Sequence, residues 1–347
     1  MDNKKYITIM DGAGGIETLI LVEKLIRNKI PSELWHVKGG IGLDAMDDGS
    51  YIPIGSSKYL VFTSDAYTVN PIFFPNSNIG ELAVSGVIND LVAMGARPIA
   101  FMDNVIVEEG FPLDELDMIM NSMVKVLVEN NIALIGGDFK VMPRGAIDKI
   151  IITGFGIGIS NYKPIVDMIE PGDKIIVTNT IAEHGATILA AQMGMLNEAR
   201  DLRSDVRPLA KSVLPVIEKY REYITAVRDP TRGGLAIVLN EWARKTGLTI
   251  YVERSSIPIR PEVEEFLEML GIDPLTLASE GVMVMSVKPE VADLIVDELK
   301  KQGEKPSIIG EVKKPETPNI KGLVIGITEI GGQVIIHPFA YNLPRIC

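Results

Sequence analysis

The chain has 347 residues, 46% of them hydrophobic and 23% charged, which is enough apolar material for two globular domains of ordinary size. A net charge of −12 without a lysine or arginine cluster argues against nucleic-acid binding, and no apolar run approaches the roughly 18 residues of a membrane span. The one cysteine, Cys347, allows no internal disulfide; with no signal-peptide pattern at the start, the expected compartment is the reducing cytoplasm.

In chain order, the turn-forming Asp11-Gly-Ala-Gly-Gly15 precedes a predicted helix over 16–29. Gly39-Gly-Ile-Gly42 and Asp47-Asp-Gly49 mark a loop or hairpin. Residues 59–63 read as a buried strand ending at Ser64-Asp65. Asn76 and Asn78 offer N-caps for a helix over 79–95, and a strand is expected at 99–107. A helix over about 113–130 follows Pro112, with Asp114 and Glu115 in its first turn. An apolar run at 132–135, the polar cluster Gly136-Gly-Asp-Phe-Lys140 and a strand at 149–158 complete the first half.

Pro164 and Pro171-Gly-Asp173 place a domain boundary near 160–172. The expected division is 1–162, 163–337 and a flexible tail at 338–347. Beyond the boundary, strands at 174–178, 224–227, 248–252, 281–287, 307–312 and 333–336 mix with helices at 185–194, 205–221, 232–246, 261–270 and 289–301. Strands and helices without strict β-α repeats predict α+β domains with mixed sheets.

Several chemistries are absent. There is no GxxxxGK[ST] phosphate loop and no GxSxG nucleophile elbow. Gly154-Phe-Gly-Ile-Gly158 is followed by Asn161-Tyr-Lys-Pro164 rather than a helix, so it fails as a dinucleotide fingerprint and reads as a strand that allows close packing. His36, His184, His337 and Cys347 lie too far apart in sequence for a zinc pattern.

The 79–95 helix is apolar nearly all round yet carries Asn89-Asp90, either a satisfied structural network or a metal ligand. Asp65, Asp90 and Asp138, with Lys140, suit a Mg-nucleotide site, carboxylates for a hard cation and lysine for phosphate. Asp229 and Thr231 can cap the following helix, or the glycine-rich turn can face an anion. Glu109 and Glu280 each stand beside a glycine at an element boundary, as a base, a ligand or a solvated side chain. At the chain's end, Cys347 behind Leu343-Pro-Arg-Ile346 reads as a mobile, reachable thiol.

Gly39 through Gly49, Asn70-Pro-Ile-Phe-Phe-Pro75, Asn89-Asp-Leu91, Glu108-Glu-Gly110, Gly137-Asp138, Glu183-His-Gly185, Asp229-Pro-Thr-Arg-Gly-Gly234, Glu280-Gly281 and the closing Pro344-Arg-Ile-Cys347 carry a resemblance. The sequence resembles the HypE family of hydrogenase maturation proteins, within the AIR synthetase-like (PurM-like) superfamily, over essentially its whole length. The resemblance implies a two-domain α+β PurM-like fold, an N-terminal domain that forms a homodimer, and ATP in the groove between domains. It implies a carbamoyl group placed on Cys347 by the carbamoyltransferase HypF and ATP-dependent dehydration of that group to a thiocyanate. The cyano group would then pass to iron held by the HypC–HypD complex, for the [NiFe]-hydrogenase centre. By family position, Asp65, Asp90 and Asp138 would hold Mg²⁺ with Asn89 in support, Lys140 would meet phosphate, and Glu280 or, as second choice, Glu109 would act as base. Gly12, Gly14 and Gly15 would form a cover over the nucleotide.

The chain departs from the family pattern at Asp11, where histidine is common, at Phe139, where threonine is common, and at Ser85-Gly-Val-Ile88, where relatives commonly have Gly-Thr before the Asn-Asp pair. Two rivals accompany this reading. One is another ATP-using superfamily enzyme, such as a selenophosphate synthetase (which would normally carry a cysteine or selenocysteine near its start), a purine-pathway synthetase or a thiamine-phosphate kinase. The other is a non-catalytic maturation scaffold.

Overall fold

A computed structural model describes residues 6–12, 14–339 and 345–347. Helix α1 (Ile16–Leu25) follows a 3₁₀ turn and has no buried residue. The first sheet takes β1 (Ser50–Gly55), β2 (Lys58–Tyr67), β5 (Arg97–Glu108), β6 (Ala133–Met142) and β7 (Ile150–Ser160), with β3 (Phe73–Phe74) and β4 (Ser77–Asn78) forming a separate small ladder. Its order is β1-β2-β7-β5-β6, antiparallel except for the parallel β5–β6 pair at one edge.

One face of this sheet is covered by α2 (Ile79–Ala93), on which α3 (Leu113–Glu129) packs. Every residue of α2 except Glu81 is buried, and Asn78 caps it by accepting from the Gly80 and Glu81 N–H groups at 2.8 and 3.3 Å. The β7 glycines make the close approach possible. A Cβ on Gly156 would lie 2.5 Å from Val87 Cγ1 and 3.0 Å from Leu91 Cδ1 of α2.

The second sheet has the order β14-β13-β10-β12-β8-β11-β9. Its strands are β8 (Lys174–Val177), β9 (Ile224–Arg228), β10 (Thr249–Glu253), β11 (Val284–Val287), β12 (Ser307–Lys313), β13 (Val324–Ile327) and β14 (Gln333–Ile336), with β10 and β13 parallel and the remainder antiparallel. The helices of this half are α4 (Glu183–Gln192), α5 (Leu214–Tyr220), α6 (Gly234–Thr246), α7 (Pro261–Leu270) and α8 (Ala292–Lys301). Buried residues from both halves, Val84 and Ile88 of α2 among them, join one continuous core.

Most expected elements are present, and the exceptions bear on the site. β2 runs on to Tyr67, so Asp65 sits within a strand rather than at its end. β6 continues from the apolar run through the polar cluster Gly136–Lys140, because β5 pairs with it residue by residue there. The helix expected over 205–221 is only α5, since 203–209 crosses to the first half instead, with Leu209 N donating to Asn89 Oδ1. β1 and β13 were not anticipated.

Gly156→Val forces a branched side chain against Val87 and Leu91, and overpacking of this kind costs about 1–3 kcal/mol. The urea midpoint is expected to fall with an unchanged slope.

Candidate active site

The site lies where α2 meets both halves. Thr63, Asp65 and Tyr67 alternate onto one face of β2. The Thr63 hydroxyl donates to Asp90 Oδ2 at 2.6 Å, which fixes the α2 carboxylate over the strand. The Tyr67 hydroxyl lies against Gly86, one helical turn before Asp90, where a Cβ would come within 2.2 Å of it. That hydroxyl is buried and has no hydrogen-bond partner among the described residues.

Asn89, beside Asp90, faces the second half. Its Nδ2 donates to the carbonyls of Glu280 (2.9 Å) and Arg207 (3.1 Å), and its Oδ1 accepts from Leu209 N. The amide is therefore occupied in holding the two halves together and in placing Glu280. The Glu280 side chain is 2% exposed, and its Oε1 has no partner among the described residues.

Residues 345–347 are docked, not free as the sequence led us to expect. The Thr68 N–H and hydroxyl both donate to the Cys347 carbonyl, at 3.0 and 3.2 Å. Asn70 N–H donates to the Arg345 carbonyl at 2.9 Å, and Arg345 Nε donates back to Thr68 O at 2.6 Å. The Arg345 guanidinium also pairs with Asp148, and Ile346 is buried in the core. Backbone groups at 68–70 left over beyond β2 thus bind the end of the chain much as an added strand would. Pro344 lies outside the described residues.

This docking carries the half-buried Cys347 thiol into a negative chamber that leaves Asp65 and Arg232 exposed. Burial first, and then Glu280, push its pKa up, with Asp65 and Asp229 adding to the effect and Arg232 opposing it. Burial also raises Asp65, Asp90 and Glu280, each reinforced or opposed by the same neighbours, and raises Asp229 to about 7. Arg232 is the guanidinium of this group, and its own pKa is raised, chiefly by Cys347. Its Nη1 donates to the Gly12 carbonyl at 3.0 Å, while a Cβ on Gly14 would meet Arg232 Cβ at 2.5 Å. The stretch carrying Gly12 and Gly14 therefore lies over the chamber, and Gly15 begins α1.

A cavity of about 690 Å³, ample for a nucleotide, opens on the uncovered face of the first sheet and is lined by Asp48, Ser64, Met102, Asn104 and Phe155, among others. Asp48 joins it to the chamber, since it also acts on Asp90 and is acted on by Asp229. Its Oδ2 has no partner among the described residues. Behind it, Arg228 bridges the halves by pairing with Asp47 (3.4 Å), Asp48 (3.2 Å), Asp167 (3.1 Å) and Glu241.

The other expected site residues lie elsewhere. Asp138 and Lys140 pair with each other on exposed β6. The register Asp65–Gly154–Asp103–Gly137 puts that strand three spacings from β2, roughly 14 Å. One chain thus brings Asp65 and Asp90 together but not Asp138. Glu109 is exposed in the turn after β5; the carboxylates acting on the thiol are Glu280, Asp65 and Asp229. Asp229 does not cap a helix: α6 starts at Gly234 behind Gly233, with no side-chain cap. Sequence reasoning gave no site role to Asp48, Tyr67, Asp229 or Arg232, although two of the quoted motifs, Asp47-Asp-Gly49 and Asp229-Pro-Thr-Arg232, contain three of them.

The geometry brings together a docked thiol and a carboxylate chamber, with a nucleotide-sized cavity linked to them through Asp48. The chain matches the AIR synthase related protein N-terminal domain over residues 46–160 and the corresponding C-terminal domain over 170–321. A putative hydrogenase expression/formation protein of Methanocaldococcus jannaschii is 42% identical, covering 98% of this chain and 99% of its own length. The carbamoyl dehydratase HypE of Rhizobium leguminosarum bv. viciae is 34% identical over 98% of this chain and 95% of its own. The chain belongs to the HypE family of hydrogenase maturation proteins. Among solved structures, HypE in complex with ATP superposes with a TM-score of 0.80 at 34% identity, covering 99% of this chain and 100% of that one. A HypE–HypF complex gives 0.82 at 30% identity, covering 94% and 100%. No helix among the described residues is long and apolar enough to cross a membrane.

The raised carboxylates set a pH dependence. Asp229 moves from an ordinary 3.8 to about 7 in the folded state, so the folded protein binds its proton more tightly. That stability is complete below about pH 4 and is lost as pH rises through 7. In the presence of a chelator, Tm is expected to be higher at pH 6 than at pH 8, with Asp229→Asn reducing the difference.

Proposed function

We propose that this HypE-family protein dehydrates a carbamoyl group carried on its own Cys347 to a thiocyanate, using ATP. The observation that carries the reading is the docked tail, which seats the Cys347 thiol among Asp65, Asp229, Glu280 and Arg232, a group linked through Asp48 to a nucleotide-sized cavity on the other face of the sheet. In the reaction the carbamoyl oxygen attacks the γ-phosphorus of ATP, and the bond from phosphorus to ADP breaks. The nitrogen gives up its two protons, C≡N forms, and the C–O bond breaks as phosphate leaves with the oxygen. Amide oxygen leaves poorly and phosphate leaves well, so the protein's work is positioning, charge neutralisation and proton acceptance.

Glu280 is our candidate acceptor for the nitrogen protons: it is buried, its Oε1 has no partner among the described residues, and burial raises its basicity. Arg232 faces the developing phosphate charge. The residues also fit Mg²⁺. Among the described residues no group of three or more His, Cys, Asp or Glu could hold a metal alone, yet Asp48 keeps an unpartnered oxygen and Asp65 and Asp90 repel one another. Mg²⁺ typically takes one or two carboxylates together with substrate phosphates, and when bound it would neutralise the triphosphate.

Asp138 and Lys140 enter this reading through a homodimer. β6 is an open sheet edge that exposes Leu134, Ile135, Phe139 and Val141, a surface suited to a second copy of the N-terminal half. Pairing there would let Asp138 bind metal and Lys140 bind phosphate at a site completed across the interface. HypF would supply the carbamoyl group and the HypC–HypD complex would accept cyanide, with the cytoplasm as the setting.

Incubation with the carbamoyltransferase, carbamoyl phosphate and ATP, followed by mass analysis of the C-terminal peptide, tests the reading. We expect a carbamoyl adduct on Cys347 that loses one water only with Mg-ATP. Cys347→Ala should lose all modification while folding normally; an unmodified native tail would reject the proposal. Phe139→Glu buries a charge in the proposed interface, so sedimentation is expected to move to the monomer with loss of ATP turnover. An unaltered oligomer would reject β6 as the contact.

A further inference from the structure

His184 makes a contact that the proposed chemistry leaves unused. It stands in the first turn of α4 and is fully buried, its ring edge-to-face with Phe74 at 5.3 Å between centroids. Both ring nitrogens are engaged. Nε2 lies 2.7 Å from the Ile346 carbonyl, and Nδ1 lies 2.8 Å from Ser204 Oγ. A carbonyl can only accept, so Nε2 must carry the proton. Burial lowers the His184 pKa to about 4, so the ring is neutral near pH 7 and Nδ1 presents a lone pair. Ser204 must therefore donate to Nδ1. Its oxygen in turn accepts from Val206 N–H at 3.2 Å, while Ser204 N–H is held by the Pro75 carbonyl at 3.1 Å.

The bonds run in one direction, from Val206 N–H through the serine hydroxyl and the imidazole to the penultimate carbonyl of the chain. Other groups facing this corner are Asp205, which accepts from His184 N–H at 3.1 Å, and Glu183, its neighbour on α4. Among the described residues the other polar bonds to 345–347 come from Thr68, Asn70 and Asp148 of the first half, and His184 bonds the tail from the second.

We propose that His184 is a positioning residue, a latch steadied at Nδ1 by Ser204, which holds the tail across both halves so that Cys347 stays in the chamber. A ring of the same shape without nitrogens would keep the packing against Phe74 and release the tail. This inference rests on the reading of Cys347 as the group-carrying residue, but its test does not use that chemistry. The tail must leave the chamber for any partner to reach the thiol, and the latch sets how often it does.

The experiment measures alkylation of Cys347, the chain's one cysteine, by iodoacetamide in the native protein at pH 7.5. His184→Phe is expected to react roughly five- to tenfold faster, the shift in docked population that follows loss of one buried hydrogen bond. His184→Gln, which retains a donor, should restore part of the slow rate. Ser204→Ala removes the bond that Nδ1 accepts, leaves the Nε2 donor in place and should give a smaller acceleration; it decides the matter if the phenylalanine variant does not fold. Native rates in folded His184→Phe, or in Ser204→Ala where that variant decides, would overturn the latch. Acceleration without any carbamoylation of the native tail would uphold the latch and reject the proposed function instead.

Discussion

The fold is arranged around an excess of negative charge gathered about one half-buried thiol. Asp65, Asp90, Asp229 and Glu280 crowd the chamber, with Arg232 opposing Asp65 and Glu280 and Arg228 opposing Asp229. Like charges in a place poor in water are costly unless a cation or protons relieve them. The chamber is thus prepared for something positive and closed to a thiolate, which explains why burial and Glu280 hold the Cys347 thiol in its protonated form. A thiol kept neutral there is inert on its own. The chemistry must come to it already attached to sulfur, and neutralising charge must arrive with the nucleotide.

Two adjacent residues in a buried helix make this geometry possible. Asp90 turns toward β2, where Thr63 fixes it, while Asn89 turns toward the second half and holds Glu280 by its backbone. Gly86, one turn earlier, leaves room for the Tyr67 phenol. The same short stretch of α2 therefore sets the acid floor of the chamber, joins the two halves and places the candidate base. The glycines of β7 are what allow α2 to lie so close to the sheet, so distant packing and local chemistry are one problem.

Much of the architecture was legible in the sequence because it rests on local signals. The asparagine cap and unbroken apolar face of α2, the Pro-Gly break before β8 and the glycine-spaced β7 each have a near-neighbour cause. What was hidden depended on long-range pairing. Nothing local reveals that β5 draws Gly136–Lys140 into a strand and carries Asp138 away from Asp65. The tail was misread for the same reason: a terminal residue behind proline has no local cause to be ordered, and its partners at Thr68, Asn70 and His184 are far off in sequence. Asp229 was masked by its similarity to a helix cap. Of the candidate residues, Asp65, Asp90, Glu280 and Cys347 meet in one chain, which residue type and family resemblance anticipated without geometry.

If the chamber works as argued, nucleotide turnover and loss of water at the tail are one event. The most direct measurement is the phosphate released in a single turnover by protein carrying a fully carbamoylated Cys347, counted against the thiocyanate formed on the same chains. The account predicts one phosphate per thiocyanate and none from chains whose tail is unmodified. Phosphate release that continues from unmodified chains, or thiocyanate that forms without phosphate, would contradict it.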